Sequence, residues 1–225
     1  MTPELRKEAS ELQLHKRGIR INVQLHVIEA DEEVTLRCEN ELRQRLIALW
    51  AVSHALEVNT KQQVTAYLQQ HQLIDLLSEN EKSFLSDRSK PNQDDLSEAF
   101  SSMQSRRHAF AFLAWCAGLV PKINLGTKPC DISQALACFP KQIDAQAAAP
   151  TFLSNLKMRR KDAIMDWSDL LYRLHWAVRH AYLNHKPSPG NIDAELVREW
   201  HQAVNWMCRY DDEDNWDLIS TETTA

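Results

Sequence analysis

Four side chains that are capable of chemistry recur along one predicted helix of the 225-residue chain. They stand at positions i, i+4, i+7 and i+11, and they are Asp169, Arg173, Trp176 and His180. This spacing brings side chains to one flank of a helix. One interpretation is a polar pocket edge, where Asp169 holds Arg173 for anion binding and His180 serves proton transfer or partner contact. The other is structural, an i,i+4 ion pair followed by a tryptophan and a histidine packed at the core boundary.

Two predicted helices position this ridge. The first covers residues 164–184 and carries the strongest amphipathic pattern in the chain, with a broad apolar stripe beside the ridge. The second begins after Asp193, a residue type that favours helix N-caps. If the protein is an enzyme, we expect a concave pocket between these helices that contains groups with perturbed pKa values. Its residues would be Arg173, His175, His180 and Asn205.

The sequence contains no standard motif for a nucleotide, a metal or a nucleophile. Glycine-rich phosphate loops and the HExxH, GxSxG and CxxC patterns are all absent from it. His175 and His180 are five residues apart, about 140° around a helix, so they cannot chelate one ion from one face. Cys130 stands at a predicted helix N-terminus, which lowers a thiol pKa, but the neighbouring Asp131 opposes that effect. We therefore predict neither a metal site nor a cofactor.

Charge and cysteine usage limit the class of protein. The chain has 26 basic and 31 acidic residues, a formal charge of −5, which argues against nucleic-acid binding. The basic run at residues 157–161 is interpreted as a solvated helix face, with a nucleic-acid module as the weaker alternative. The longest apolar run, residues 109–120, is shorter than the ~20 residues of a membrane span. Five scattered cysteines and a charged beginning without a signal peptide predict reduced thiols and a cytoplasmic location.

The apolar pattern predicts a mainly α fold with about 60% helix, twice the usual share. We expect a single compact multi-helix domain over residues 1–225, and the polar stretch at residues 86–95 is a candidate boundary between two lobes. Only four glycines occur, which disfavours β-rich folds.

The beginning of the chain combines a helix with a different pattern. Leu5, Ala9 and Leu12 fall at i, i+4 and i+7 of a first helix that ends at Gly18, where a left-handed cap needs no Cβ. Apolar and polar residues then alternate, which predicts one short extended or hairpin arm near residues 19–37. A lone hairpin is marginal in water, so this arm must lie on helices.

With these residues laid out, the chain resembles the mostly bacterial domain-of-unknown-function family 4272 over nearly its full length. The resemblance is most specific at residues 172–179 (YRLHWAVR) and 200–206 (WHQAVNW), and it also covers residues 115–118 (WCAG). It implies a single helical domain and no reaction, because no activity is assigned to that family. It draws attention to Arg173, His175, Trp176 and Asn205, whose polar atoms recur in the recognisable motifs.

These observations favour a non-catalytic intracellular helical protein that binds another protein. An enzyme with a pocket between the two C-terminal helices is the alternative. Neither a nucleic acid nor a membrane is expected as a partner, and the sequence leaves the oligomeric state open.

Overall fold

The computed structural model describes residues 1–57, 60–86, 93–125, 131–140, 143 and 156–223, with the backbone alone at residues 93–99. This part of the chain is 63% helical and contains no strand, which confirms the predicted mainly α fold. Its α-helices are α1 (Pro3–Lys16), α2 (Glu39–Ala55), α3 (Lys61–Gln70), α4 (Glu79–Ser86), α5 (Gln93–Cys116), α6 (Ser133–Leu136), α7 (Lys161–Leu183) and α8 (Ala194–Met207). Short 3₁₀ turns occur at Ile74–Leu76, Pro189–Asn191, Tyr210–Asp212 and Trp216–Leu218.

Helices α7 and α8 lie at the centre of the packing. Helix α7 packs against α1 and α8, while α5 packs against α2 and α8. The predicted apolar stripe of α7 is buried, including Leu170, Leu171 and Leu174. Helix α8 begins as predicted after Asp193, whose carboxylate accepts a hydrogen bond from the Glu195 backbone N–H at 2.9 Å. The two helices expected to position the candidate residues therefore exist and contact each other.

The arm between α1 and α2 is non-helical, and no strand pairs within it in the described residues. The hairpin form of the prediction therefore does not occur. Leu25 is buried whereas Val23 and Val27 are exposed, so strict alternation is also lost. The reason is a turn at Asn22, whose side-chain oxygen accepts a hydrogen bond from the Gln24 backbone N–H at 3.1 Å.

The basic run at residues 157–161 is not a helix face, and that interpretation was wrong. Helix α7 begins only at Lys161, at the end of the run. Arg159 donates to the backbone oxygens of Trp115 at 3.2 Å and Val120 at 2.9 Å. A guanidinium in this position satisfies carbonyl groups left free at a helix C-terminus. Arg159 therefore fastens the end of α5 to the segment before α7.

Two glycines with left-handed backbone give a matched test of this packing. Gly118 has φ +76°, and an added Cβ would collide with the Lys157 carbonyl oxygen, whereas Gly18 has φ +70° and open space around it. We expect Gly118→Ala to lower the free energy of unfolding by about 2–4 kcal/mol, since backbone strain of ~1–2 kcal/mol adds to overpacking. Gly18→Ala should cost only the strain, about 1–2 kcal/mol. Urea denaturation of both variants measures the difference, and equal losses would contradict the close approach.

Some predictions fall outside the described residues. These include Cys130 and most of the candidate lobe boundary at residues 86–95, of which residues 87–92 are not described. Within the described ranges, no helix has both the length and the hydropathy needed to cross a membrane.

Candidate functional site

The Asp169–Arg173 pair of the predicted ridge forms, and it is buried. Asp169 is 0% and Arg173 is 2% exposed. Arg173 Nε and Nη2 donate to the two carboxylate oxygens of Asp169 at 2.9 and 2.7 Å. The same Nη2 donates to the backbone oxygen of His26 at 2.9 Å, and Glu11 of α1 lies 3.8 Å from Nη1. This ion pair therefore holds the arm and α1 against α7.

Trp176 and His180 form a separate pair at the surface of α7. Their rings are stacked, with centroids 4.8 Å apart and planes 13° from parallel. Both side chains are partly exposed, and Asn184 Nδ2 lies 3.4 Å from His180 Nε2. The predicted ridge thus runs from a buried ion pair outward to the protein surface.

His175 and Asn205 both contact a third residue, His201, which was not predicted from the sequence. His175 on α7 and His201 on α8 are buried, with their Nδ1 atoms 2.9 Å apart. Asn205 follows one turn later on α8, with Nδ2 at 3.3 Å from His201 Nε2. The same Nδ2 donates to the backbone oxygen of Ser220 at 2.9 Å. These three side chains join α7, α8 and the C-terminal segment, defined as residues 213–223.

Burial keeps both histidine rings neutral. Burial, reinforced by the positive charges of Arg179 and Arg198, lowers the pKa of His175 to about 4. Burial and then the neighbouring His175 lower the pKa of His201 well below its usual range. The signal that would have identified His201 is its position four residues before Asn205, on the same face of α8.

The candidate residues of the enzyme alternative therefore lie in three places. Arg173 faces the arm and α1, His175 and Asn205 lie beneath the C-terminal segment, and His180 lies at the surface of α7. Helical geometry explains the separation, because His175 is about 200° around α7 from Arg173.

A second buried polar cluster was not predicted from the sequence. Glu81 at the start of α4 is completely buried and forms ion pairs with Arg45 of α2 and Arg106 of α5. Asp217 accepts a hydrogen bond from Arg106 Nη2 at 2.9 Å, and the Arg45 guanidinium carbon lies 4.2 Å from the centre of the Trp216 ring. The cluster fixes the C-terminal segment to α2, α4 and α5.

A cleft of about 480 Å³ lies between α2, the start of α4 and the C-terminal segment. Arg37 and Arg45 are buried in its lining, and the Arg37 guanidinium carbon lies 4.5 Å from the centre of the Trp206 ring. Arg37 Nη1 pairs with Glu41 at 3.0 Å and with Asp214 at 2.7 Å. Since these guanidinium groups are already neutralised by carboxylates of the same chain, the cleft gives little support to an anion site.

A smaller cavity of about 230 Å³ adjoins Asn205 and Cys208. Burial raises the pKa of the Cys208 thiol to about 12, so this cysteine is protonated at neutral pH and is a poor nucleophile. Carboxylates line the same cavity, from Glu29, Glu33, Asp211 and Asp212. Across the described ranges, no group of three or more histidine, cysteine, aspartate or glutamate residues is arranged to hold a metal ion.

Three apolar residues of α1 lie on its exposed side. Leu5 is 55% and Leu12 is 53% exposed, and Ala9 between them is also exposed. We call these three residues the outer stripe. The buried side of α1 instead carries Arg6 and Leu14. The outer stripe therefore lies outside the hydrophobic core that the described residues form.

Polar contacts fix the rotation of α1 about its axis. Arg6 is 1% exposed, its Nε donates to Asp166 of α7 at 2.9 Å, and its Nη2 lies 2.9 Å from Asp31 of the arm. Lys7 Nζ donates to the backbone oxygens of Val23 and Leu25 at 2.7 Å each. Rolling the helix to bury the outer stripe would break all of these contacts.

Charge is distributed unequally beside the outer stripe. At 100° per residue, Glu8 follows the stripe on one flank, with Glu4 beyond it, and both are exposed. The exposed Gln13 lies on the opposite flank. The surface thus combines an apolar row with an acidic border, and the exposed Lys16 lies one turn beyond Leu12 at the C-terminal end of the row.

Comparison with known proteins identifies one family. A family model described as Domain of unknown function (DUF4272) matches residues 6–219 of the 225-residue chain. No curated protein and no solved structure matches the chain. The match covers both C-terminal helices, the arm and nearly all of α1. The chain therefore belongs to the DUF4272 family, as the resemblance in its sequence predicted.

Proposed function

We propose that this protein is a non-catalytic binding protein that receives a helix of another protein on the outer stripe of α1. The observation that carries the proposal is the exposure of Leu5 and Leu12 on a helix whose rotation is fixed by buried contacts. Apolar residues at i, i+4 and i+7 usually face a packing partner. Since Leu5 and Leu12 stay more than half exposed among the described residues, we infer that a second protein supplies that partner.

The acidic border defines the chemistry of the partner. An amphipathic helix that lays its apolar face along Leu5, Ala9 and Leu12 would place its own flanking residues beside Glu4 and Glu8. Lysine or arginine at those flanking positions would complement the two carboxylates and guide association, whereas acidic residues would be repelled. We therefore propose a basic amphipathic helix as the ligand.

A second copy of this chain fits the surface less well. Two α1 helices crossing antiparallel at Ala9 would pair each Leu5 with the partner's Leu12. In that arrangement equivalent flanks face each other, as they do in antiparallel coiled coils. The Glu8 side chains of the two copies would then stand opposite each other, and like charges repel.

The test uses two synthetic 20-residue helical peptides that share one leucine face and differ only in carrying lysine or glutamate on the flanks. We expect the lysine peptide to bind at least about tenfold more tightly, with affinity that falls as salt rises. Leu5→Asp combined with Leu12→Asp should weaken its binding by at least about tenfold, because two charges would be buried against the leucine face. Fluorescence anisotropy measures both affinities.

The matched control is Leu183→Asp, because Leu183 is an exposed leucine at the end of α7 and belongs to a different helix from the outer stripe. That variant should bind like the unmodified chain. Equal affinity for both peptides, no binding, or binding that the double substitution leaves unchanged would refute the proposal. If the chain alone sediments as a dimer, and Leu5→Asp dissociates that dimer, self-association through α1 would replace the proposal.

The enzyme alternative has less support, because its four residues lie in three separate groups. We also propose a cytoplasmic location, on the reasoning that reduced thiols are typical of the cytosol. Among the described cysteines, Cys38, Cys116, Cys138 and Cys208 are free.

A further inference from the structure

The two buried histidines approach the backbone of the C-terminal segment, His175 directly and His201 through Asn205. His201 contacts Asn205, and Asn205 Nδ2 donates to the Ser220 oxygen at 2.9 Å. His175 also lies against the backbone of Thr221, whose influence raises the pKa of the ring, as a carbonyl oxygen facing a ring N–H does. The segment is therefore held at two consecutive residues by one continuous set of side chains.

Only one arrangement of protons satisfies every contact in this set. Asn205 Nδ2 is a donor, so His201 Nε2 must accept and the proton of His201 must lie on Nδ1. His201 Nδ1–H then donates across 2.9 Å to an unprotonated Nδ1 of His175. The proton of His175 is left on Nε2, the ring nitrogen that can donate to the Thr221 carbonyl oxygen. Both rings must be neutral for the chain of hydrogen bonds to exist.

We propose that His175, His201 and Asn205 form an acid-sensitive latch that holds residues 219–223 when both rings are neutral and releases them when either ring is protonated. Protonating His175 turns its Nδ1 into a second donor that faces the donor on His201. Protonating His201 turns its Nε2 into a donor that faces the Asn205 amide. In each case two N–H groups oppose each other, and the newly added N–H of the buried imidazolium has no acceptor.

The surroundings provide little compensation for such a charge. The charged groups that act on the rings are the guanidinium groups of Arg179 on α7 and Arg198 on α8, and both disfavour an added proton. Tyr172 of α7 contacts His201, with ring centroids 6.3 Å apart. The ionisable residue of residues 219–223 is Glu222, which is exposed. Opening the latch lets the His175 ring reach water and accept a proton freely.

Release is confined to the end of the C-terminal segment. Trp216 stays anchored, because Arg45 stacks on its ring at 4.2 Å and Gln202 Nε2 donates to its backbone oxygen at 2.7 Å. Ile219 and Thr223, which are buried when the latch is closed, would become exposed. The opening therefore exposes part of the surface of α7 and α8 while the helices themselves stay folded.

The size of the effect follows from the two states of His175. Its pKa is about 4 in the closed latch and returns toward 6.5 when open, so the open form binds more protons between these values. The closed latch is consequently favoured above pH 6.5 and weakens as pH falls from 6.5 toward 4. His175 alone should raise the open population about 30-fold between pH 7.5 and pH 5.

Hydrogen exchange of the full chain at pH 7.5 and pH 5, corrected for the intrinsic rate at each pH, measures this opening. We expect residues 219–223 to lose protection about 30-fold at the lower pH while α7 and α8 keep theirs. In His175→Gln, the amide oxygen accepts from His201 and the amide nitrogen donates to Thr221, so the change should fall below about fivefold. His180→Gln is the control, because His180 is a surface histidine of the same helix, and it should retain the full change.

A second measurement is independent of whether the glutamine variant folds. Nitrogen NMR of the unmodified chain at pH 7 should show His201 protonated on Nδ1 and His175 on Nε2. Equal protection of residues 219–223 at both pH values, the opposite tautomers, or a full pH response in His175→Gln would overturn the latch.

Discussion

Replacing Glu81 with glutamine is expected to lower the free energy of unfolding by about 3–5 kcal/mol, which is the usual cost of breaking a buried ion pair from one side. Glu81 is 0% exposed and accepts hydrogen bonds from Arg45 Nη1 and Arg106 Nη1, each at 3.0 Å. Its carboxylate also accepts from the Ser78 backbone N–H at 2.9 Å. A neutral amide would leave two buried guanidinium groups facing it, of which Arg106 keeps a direct ion pair with Asp217 at 2.9 Å.

The matched control is Glu79→Gln, two residues earlier on α4. Glu79 is exposed and pairs with Lys82 at 2.8 Å at the surface, where such a pair contributes about 0–1 kcal/mol. Urea denaturation of the two variants should therefore separate them by several kcal/mol. Similar losses in both would show that the buried cluster does not stabilise the fold.

The Glu81 carboxylate also makes the free energy of unfolding depend on pH in the acid range. Burial alone would raise the pKa of Glu81, but Arg45 and Arg106 together outweigh it, and the pKa of Glu81 is lowered. A lowered carboxyl pKa means that the stabilisation is present above the unfolded value of 4.5 and is lost as pH falls below it. The unmodified chain should lose stability in that range, and Glu81→Gln should lose less.

Replacing Arg173 with methionine is also expected to cost about 3–5 kcal/mol. The substitution keeps the length of the side chain but leaves Asp169, which is 0% exposed, without its two hydrogen bonds at 2.7 and 2.9 Å. It also frees the His26 backbone oxygen, so the arm should lose protection from hydrogen exchange. Denaturation and hydrogen exchange report the two effects separately.

Two further variants test the cause of that loss. Arg179→Met lies on the exposed side of the same helix and should change stability by less than about 0.5 kcal/mol. Adding Asp169→Asn to Arg173→Met removes the uncompensated charge and should recover part of the stability. If the double variant is no more stable than Arg173→Met alone, the buried charge is not the origin of the cost.

These two ion clusters explain why the strongest charge patterns of the chain are poor candidates for a ligand site. Arg173 is paired with Asp169, and Glu81 is paired with Arg45 and Arg106. Paired buried charges stabilise one arrangement of helices and have little capacity left for a ligand. An exposed apolar row without buried ion pairs is present on α1, at Leu5 and Leu12.

The helices and most of their ends are predictable from the order of the residues alone. Local rules are sufficient for these features, because Gly18 caps α1, Asp193 caps α8, and Ser78 and Glu81 cap α4 through contacts within a few residues. The apolar period of α7 likewise required no knowledge of the other helices. The i,i+4 spacing of Asp169 and Arg173 likewise predicted their ion pair, because residues four apart are neighbours on a helix.

Which face of each helix is buried depends instead on contacts between distant segments. Arg6 is buried because Asp31 and Asp166, distant in the chain, reach it, and that contact turns Leu5 and Leu12 outward. A glutamate in the first turn of a helix usually faces solvent, so its sequence position gave no sign that Glu81 would be enclosed.

In the candidate site, too, the direction of each side chain is predictable from the sequence, whereas its contacts are not. The period of α7 specifies that His175 and Arg173 point in different directions, but it does not say what each of them meets. His175 meets His201 because α8 packs against that side of α7, and the C-terminal segment then closes over both rings. Helical periodicity is a property of neighbouring residues, whereas the partner of a buried polar group depends on which distant segment can satisfy its hydrogen bonds.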